Sequence, residues 1–225
     1  MLPSLLELHL SHSLIESLPL SLHRVNFTSL LVLDASYNSL NTSSFPIWLF
    51  NLTSLRKLDL SLNSFTSPFP GEFASLKSLD YLDLSGCGLE GQLPTSLGML
   101  KSLQYLHLSN NRINGSIPES LGQLSKLVEL DLSSNPWEGF LTEAHFASLT
   151  RLKHLSIRNN RIEKLMSLVF NVAYDWVPPF KLHKIEITNC KVGPGFGLWL
   201  QSQTAVRNNF RKFRNYVLSQ SHIYM

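Results

Sequence analysis

Leucines recur along this chain at offsets of three and then two, and a small polar residue follows three positions later, in the pattern L-x-x-L-x-L-x-x-N-x-L. Eight copies stand in register, beginning at Leu5, Leu30, Leu55, Leu79, Leu103, Leu127, Leu152 and Leu182, with successive steps of 25, 25, 24, 24, 24, 25 and 30 residues. A fixed period of this size marks a stacked array in which each unit buries its apolar face only against its neighbours. The step from the fourth to the sixth position has the period of two that lets a strand bury both leucines on one side, so each copy predicts one short strand. Eight such strands stacked at ~4.8 Å predict a curved solenoid about 38 Å long, with parallel strands lining its concave side.

The ninth position carries Ser13, Asn38, Asn63, Cys87, Asn111, Asn135, Asn160 and Cys190. A side chain buried there must bond backbone groups as the chain turns off the strand, and Asn, Ser and Cys can all donate. This predicts a structural turn ladder through Asn38, Asn63, Cys87, Asn111, Asn135, Asn160 and Cys190. Cys87 and Cys190 stand four rungs apart, about 19 Å at ~4.8 Å per rung, whereas a disulfide needs Cα atoms within ~7 Å, so both are expected unpaired. Behind the turn come Leu89-Glu-Gly-Gln-Leu-Pro94 and Ile113-Asn-Gly-Ser-Ile-Pro118, with weaker forms at Phe65 to Pro70 and Trp137 to Leu141. A short 3-4 apolar pattern follows each proline, and Pro118 suits a first helical position, so an irregular helical turn or 3₁₀ segment is expected on the outer face.

These motifs resemble the plant-type leucine-rich repeat, whose L-x-G-x-I-P stretch usually adds a second strand; the fold implied is an α/β solenoid. The longest step holds Trp176-Val-Pro-Pro-Phe180, then Leu182, Ile185, Ile187, Cys190 and Gly193-Pro-Gly-Phe-Gly-Leu-Trp-Leu-Gln-Ser-Gln203. That passage resembles the ectodomain of plant leucine-rich-repeat receptor-like proteins, including those related to fungal-xylanase receptors. Pro178 and Pro179 fix an extended chain, over which Trp176 and Phe180 are expected to cover the back of a longer repeat. The resemblance implies a cell-surface protein that perceives pathogens by binding a protein or peptide, possesses no enzyme, and works with a co-receptor. It runs from residue 2 to 203, read as one array. Family members also carry a secretion signal, a cysteine-paired cap and a membrane helix, none of which is read in this chain, which therefore looks like an internal slice.

Composition narrows the alternatives. Leucine occurs 45 times, while charged residues are only 16% of the chain, against a usual ~25%. Of the net charge of +3, residues 204 to 225 hold four cations, Arg207, Arg211, Lys212 and Arg214, and no acid; the remainder carries +3 less 4, that is −1. The repeats thus lack the electrostatic footprint of nucleic-acid binding. No run of ~20 apolar residues predicts a membrane span. Met1 to Leu10 has Glu7 and His9 where a secretion signal is continuously apolar, so surface localisation rests on resemblance and an intracellular product stays open. From Thr204 the repeat register is lost, and residues 204–225 are read as a basic tail. Val206, Phe210, Phe213 and Val217 leave open a short amphipathic helix that binds a membrane surface, or a solvated tail.

The odd-numbered strand positions should face the concave surface. The third position carries Glu7, Val32, Lys57, Tyr81, Tyr105, Glu129, His154 and Lys184; the fifth carries His9, Asp34, Asp59, Asp83, His107, Asp131, Ser156 and Glu186. The wording L-D-L-S is common in such repeats, which favours a solvated structural face for the acids. The alternative is a ligand surface at Tyr81, Asp83, Tyr105, His107, Glu129 and Asp131, because Tyr supplies large contact area at low entropic cost. His9, His12, His107 and His154 have no metal-ligand spacing, and no nucleophile elbow or phosphate loop occurs, so neither cofactor nor catalysis is expected. Four glycosylation sequons, at Asn26, Asn41, Asn51 and Asn114, are expected on outer segments between strands. Two further readings remain: a truncated product without function, and a soluble enzyme inhibitor similar to the polygalacturonase inhibitors, which share the L-x-G-x-I-P repeat.

Overall fold

The computed structural model describes residues 3–19, 27–159 and 167–203. In chain order its strands are β1 (Glu7–His9), β2 (Val32–Asp34), β3 (Lys57–Asp59), β4 (Tyr81–Asp83), β5 (Glu90–Gln92), β6 (Tyr105–His107), β7 (Arg112–Ser116), β8 (Glu129–Asp131), β9 (Trp137–Leu141), β10 (His154–Arg158), β11 (Ser167–Phe170), β12 (Lys184–Thr188) and β13 (Lys191–Val192). One strand from each copy, β1-β2-β3-β4-β6-β8-β10-β12, joins a single parallel sheet. The fourth-position residue of each copy turns inward: Leu33, Leu58, Leu82, Leu106, Leu130 and Leu155 are at most 4% exposed, while Leu8 and Ile185 in the terminal rungs are partly buried. Leucines at the first and sixth positions, such as Leu55, Leu60, Leu79, Leu84, Leu103 and Leu108, are sealed from solvent beside them. The period of two therefore builds one continuous apolar spine through successive rungs.

The turn off each strand is closed by an amide. Asn111 Oδ1 accepts the N–H groups of Cys87 (3.1 Å) and Leu89 (3.0 Å), and its Nδ2 donates to the carbonyls of Leu84 (2.8 Å) and Leu108 (3.0 Å). Asn38, Asn63 and Asn135 repeat the arrangement, each bonding its own turn and the turn of the preceding rung. Cys87 sits in the same place with only a thiol, which donates to Leu60 O at 3.0 Å. Cys190 is partly buried against the core rather than sealed like Cys87, and the inter-rung bond beside it comes from Asn189 Nδ2 to Asn159 O at 2.8 Å. Asn160 lies outside the described residues. Both cysteines are free thiols.

Behind the ladder a second parallel sheet runs β13-β11-β9-β7-β5. The full L-x-G-x-I-P motifs supply β5 and β7, and the weak form at Trp137 to Leu141 makes β9. The weak form at Phe65 to Pro70 contributes a single bridge, Pro68 to Glu90. In the motif Gly115 has φ +74, a conformation without penalty only where there is no β-carbon.

The outer face consists of 3₁₀ turns at Ile47–Asn51, Gly71–Ser75, Thr95–Met99, Glu119–Gln123 and Glu143–Phe146; the α-helix α1 comes later, at Phe196–Gln201. Pro118 is not the first helical residue but the extended cap before it, with φ −74 and ψ 135. Turns of this kind stack closely: a β-carbon at Gly122 would stand 2.1 Å from Ala144 O. In the long step Phe180 is 2% exposed, and Trp176 packs partly buried among Phe146, Phe180 and Trp199 at ring distances of 5.8, 6.4 and 6.5 Å. These rings cover the back of the repeat as the sequence predicts.

Candidate ligand-binding face

Register places the two outward columns side by side along the concave sheet. Lys57, Tyr81, Tyr105, Glu129 and His154 are lateral neighbours in one; Asp59, Asp83, His107, Asp131 and Ser156 are lateral neighbours in the other. The recurrent Asp-x-Ser wording has a local cause. Asp34 Oδ1 accepts from the N–H (3.1 Å) and hydroxyl (2.7 Å) of Ser36, and Asp59 Oδ1 does the same with Ser61 (3.1 and 2.7 Å). Asp83 and Asp131 accept the N–H of Ser85 (2.9 Å) and Ser133 (3.0 Å). One carboxylate oxygen thus closes the turn after the strand, which leaves the other oxygen for the surface.

At rung four the second oxygen of Asp83 enters a network that reaches rung seven. Asp83 Oδ2 faces both the Tyr81 hydroxyl, which donates to it at 3.3 Å, and His107 Nδ1 at 3.3 Å. The other ring nitrogen of His107 stands 3.4 Å from Glu129 Oε1, and Glu129 Oε2 lies 3.2 Å from His154 Nδ1. The Tyr81 ring meets Tyr105 at 5.8 Å and His107 edge-on at 5.6 Å, with Lys57 Nζ 5.2 Å from its centroid. Tyr81, Asp83, Tyr105, His107 and Glu129 are therefore brought together, and Asp131 acts on His107 through its charge. Lys57 and His154 join the group although the column reading singled out neither; ring and carboxylate neighbours on the adjacent rungs were the available signal.

Burial works against a charge on Asp83, but the hydrogen bond from His107, those from Ser85 and the His107 charge outweigh it and hold the carboxyl below its ordinary range. Burial likewise opposes the His107 cation; the bond and charge of Asp83, then the charges of Glu129 and Asp131, prevail and raise its pKa. The Tyr81 hydroxyl is pushed up by burial and by the charges of Asp83 and Asp59. For Asp59, burial exceeds the two Ser61 bonds, and the like charges of Asp83 and Asp34 add to it, so its carboxyl lies above the usual range. Burial pushes the Cys87 and Cys190 thiols up to about 12, which keeps both protonated and poorly nucleophilic.

The sequons divide. Asn41 is exposed in a loop and Asn51 is exposed at the end of its 3₁₀ turn. Asn114 is exposed but lies inside strand β7, opposite Gln92, rather than between strands. Asn26 and the tail from Thr204 lie outside the described residues. Among the described residues no three His, Cys, Asp or Glu side chains cluster as metal ligands, and no helix is long and apolar enough to cross a membrane.

Residues 4–208 match the family model described as a leucine-rich repeat region. Over 66 residues the chain is 44% identical to a receptor-like protein, EIX2, of Solanum lycopersicum, a match covering 29% of this chain and 6% of that protein. The crystal structure of the ectodomain of the plant membrane receptor kinase GASSHO1/SCHENGEN3 from Arabidopsis thaliana, in complex with CASPARIAN STRIP INTEGRITY FACTOR 2, superimposes with a TM-score of 0.65 at 31% identity, over 74% of this chain and 19% of that one. The crystal structure of PEPR1-AtPEP1 superimposes at 0.64 and 32% identity, over 78% and 23%. The chain thus spans a small part of the proteins it matches.

Proposed function

We propose, for a chain that belongs to the leucine-rich repeat family, that its concave face at rungs four to six binds a polypeptide ligand as a segment of a plant cell-surface receptor-like protein in pathogen perception. The observation that carries the reading is the pairing of Tyr81 and Tyr105 on adjacent strands, ringed by Asp83, His107 and Glu129. Tyr105 is 36% exposed, so its ring offers contact area to a partner, and aromatic side chains of this kind dominate binding energy at interfaces. Similarity to a receptor-like protein and to ectodomains crystallised with the partners named above supports the same direction. Perception of pathogens follows from the resemblance of Trp176 to Gln203 to receptor-like proteins of that kind.

The test uses a randomised 12-residue peptide library displayed on phage and selected on the chain. Tyr81→Ala and Tyr105→Ala should each weaken selected binders by ~1–2 kcal/mol, about tenfold, while Glu119→Ala on the outer face leaves affinity unchanged. Titration calorimetry on the selected peptides reads the difference. Binders indifferent to both tyrosines would overturn the concave site.

A further inference from the structure

Where the chain leaves the concave sheet, the eighth residue of a copy passes through the left-handed region. His12, Tyr37, Leu62, Gly86, Asn110, Ser134 and Asn189 do so, with φ of 54, 52, 55, 64, 56, 55 and 57. A β-carbon is crowded by the following carbonyl in this conformation, and Gly and Asn tolerate it best. The fourth, fifth and eighth copies obey that rule with Gly86, Asn110 and Asn189; the first three break it with large side chains. Those side chains do not serve the core. Tyr37 is 51% exposed, Leu62 is 44% exposed, His12 is exposed, and Leu14, also left-handed at φ 56, is 86% exposed.

The three residues form one strip. His12 donates its N–H to Ser36 O, Tyr37 to Ser61 O and Leu62 to Ser85 O, at 3.2, 2.9 and 2.8 Å, so each position stacks on the turn of the next rung. The His12 and Tyr37 rings are stacked at 4.3 Å. Leu62 extends over the bare backbone of Gly86, where a β-carbon would stand 2.8 Å from Leu62 Cδ2. Backbone strain and exposed apolar surface at the same positions both oppose stability, and such combinations mark interaction sites. Asp34, Asp59 and Asp83 accept the N–H groups of Ser36, Ser61 and Ser85, the residues immediately before Tyr37, Leu62 and Gly86. His9 faces Asp34 at 4.0 Å and His107 faces Asp83. Among the described residues Asp59 forms no ion pair, for Lys57 is turned to the Tyr81 ring instead.

We infer that the rim of His12, Tyr37 and Leu62 receives an aromatic or aliphatic side chain of the polypeptide ligand, while a neighbouring Lys or Arg of that ligand pairs with Asp59. This rests on the reading that the chain binds a polypeptide, and it extends the contact from the central tyrosines towards the first rungs.

The same phage library distinguishes the two sites. Peptides enriched on the chain should carry an apolar residue within a few positions of Lys or Arg. Tyr37→Asn and Leu62→Asn place at the rim the residue that Asn110 already shows to suit the turn. They should leave the melting temperature within about 3 °C, because relief of the turn offsets the lost contact, yet weaken selected peptides at least fivefold. Asp59→Asn should remove the preference for the basic residue. Loss on Tyr105→Ala but not on the rim variants overturns the rim and leaves the concave reading standing. Loss on the rim variants alone supports the rim and overturns the central site. Enrichment of peptides without basic residues, or no enrichment at all, overturns the inference, and the latter result overturns the concave reading with it.

Discussion

Between Leu55 and Leu141 each turn off the concave sheet is closed from inside, by the amides of Asn63, Asn111 and Asn135, with Cys87 the one exception. Past Leu152 the chain takes 30 residues to reach the next copy, and there the volume is filled by Phe146, Phe170, Trp176, Phe180 and Trp199, while Cys190 is only partly buried. The first region is held by groups that must donate and accept along fixed directions. The second is held by contact area, which depends on volume more than on direction. A regular array can therefore absorb an enlarged repeat when rings replace the polar ladder as its filling.

If this contrast is right, substitutions in the two regions should fail differently. Asn111→Ala would leave the Cys87 and Leu89 N–H groups and the Leu84 and Leu108 carbonyls without the partners they now have inside the core. A loss of roughly 3–5 kcal/mol is expected in urea unfolding. Phe180→Leu, on a side chain just as buried, should cost about 1.5 kcal/mol or less because neighbouring rings can shift into the space. Equal losses would remove the distinction. Cys87→Asn sharpens it from the other side: the missing amide is restored in a geometry the flanking rungs already hold, so stability should rise by about 1 kcal/mol. A fall in melting temperature would show that the thiol fits a site too small for the amide.

The smallest effect concerns charge. The raised pKa of His107 means that its contribution to stability is present below the unfolded value near ~6.5 and is lost as pH rises through the folded value. The lowered pKa of Asp83 contributes above the unfolded value near ~3.9 and is lost as pH falls through the folded one. Both act between those limits. His107→Gln should therefore lower the melting temperature more at pH 5.5 than at pH 8.5, by an amount worth ~1 kcal/mol or less, since the pair is partly solvated. A gap that is constant with pH would show that the charge network contributes nothing. The ion pairs at the other end of the sheet, Arg158 and Lys184 with Glu186, involve more exposed cations and should matter less.

Several elements were legible because they depend on neighbours a few residues away. The period of two in Leu58–Leu60 or Leu106–Leu108 specifies which side chains turn inward, and the 24- or 25-residue step then sets which residues share a column. Hence the order Lys57, Tyr81, Tyr105, Glu129 could be read directly, as could the separation of Cys87 from Cys190, whereas the second strand at Glu90–Gln92 was implied only by the resemblance of the L-x-G-x-I-P stretch. Other features were settled only when rungs met. The prolines at 94 and 118 cap the outer turns from outside, in extended conformation, rather than entering them. Asn114, the sequon expected between strands, lies opposite Gln92 inside β7, in the same L-x-G-x-I-P stretch that supplies that strand.

The sequence by itself determined the rungs, their register and the two outward columns, since strand alternation and repeat length are local properties that survive any packing. Only the tertiary structure decided that Asp83 shares His107 with Glu129, that Lys57 leaves Asp59 for the Tyr81 ring, and that Tyr37 and Leu62 stand exposed on a left-handed turn. Those outcomes depend on distances of a few ångströms between side chains some 24 residues apart, and on rotamers and backbone conformations selected by packing between rungs, which no spacing in one chain specifies.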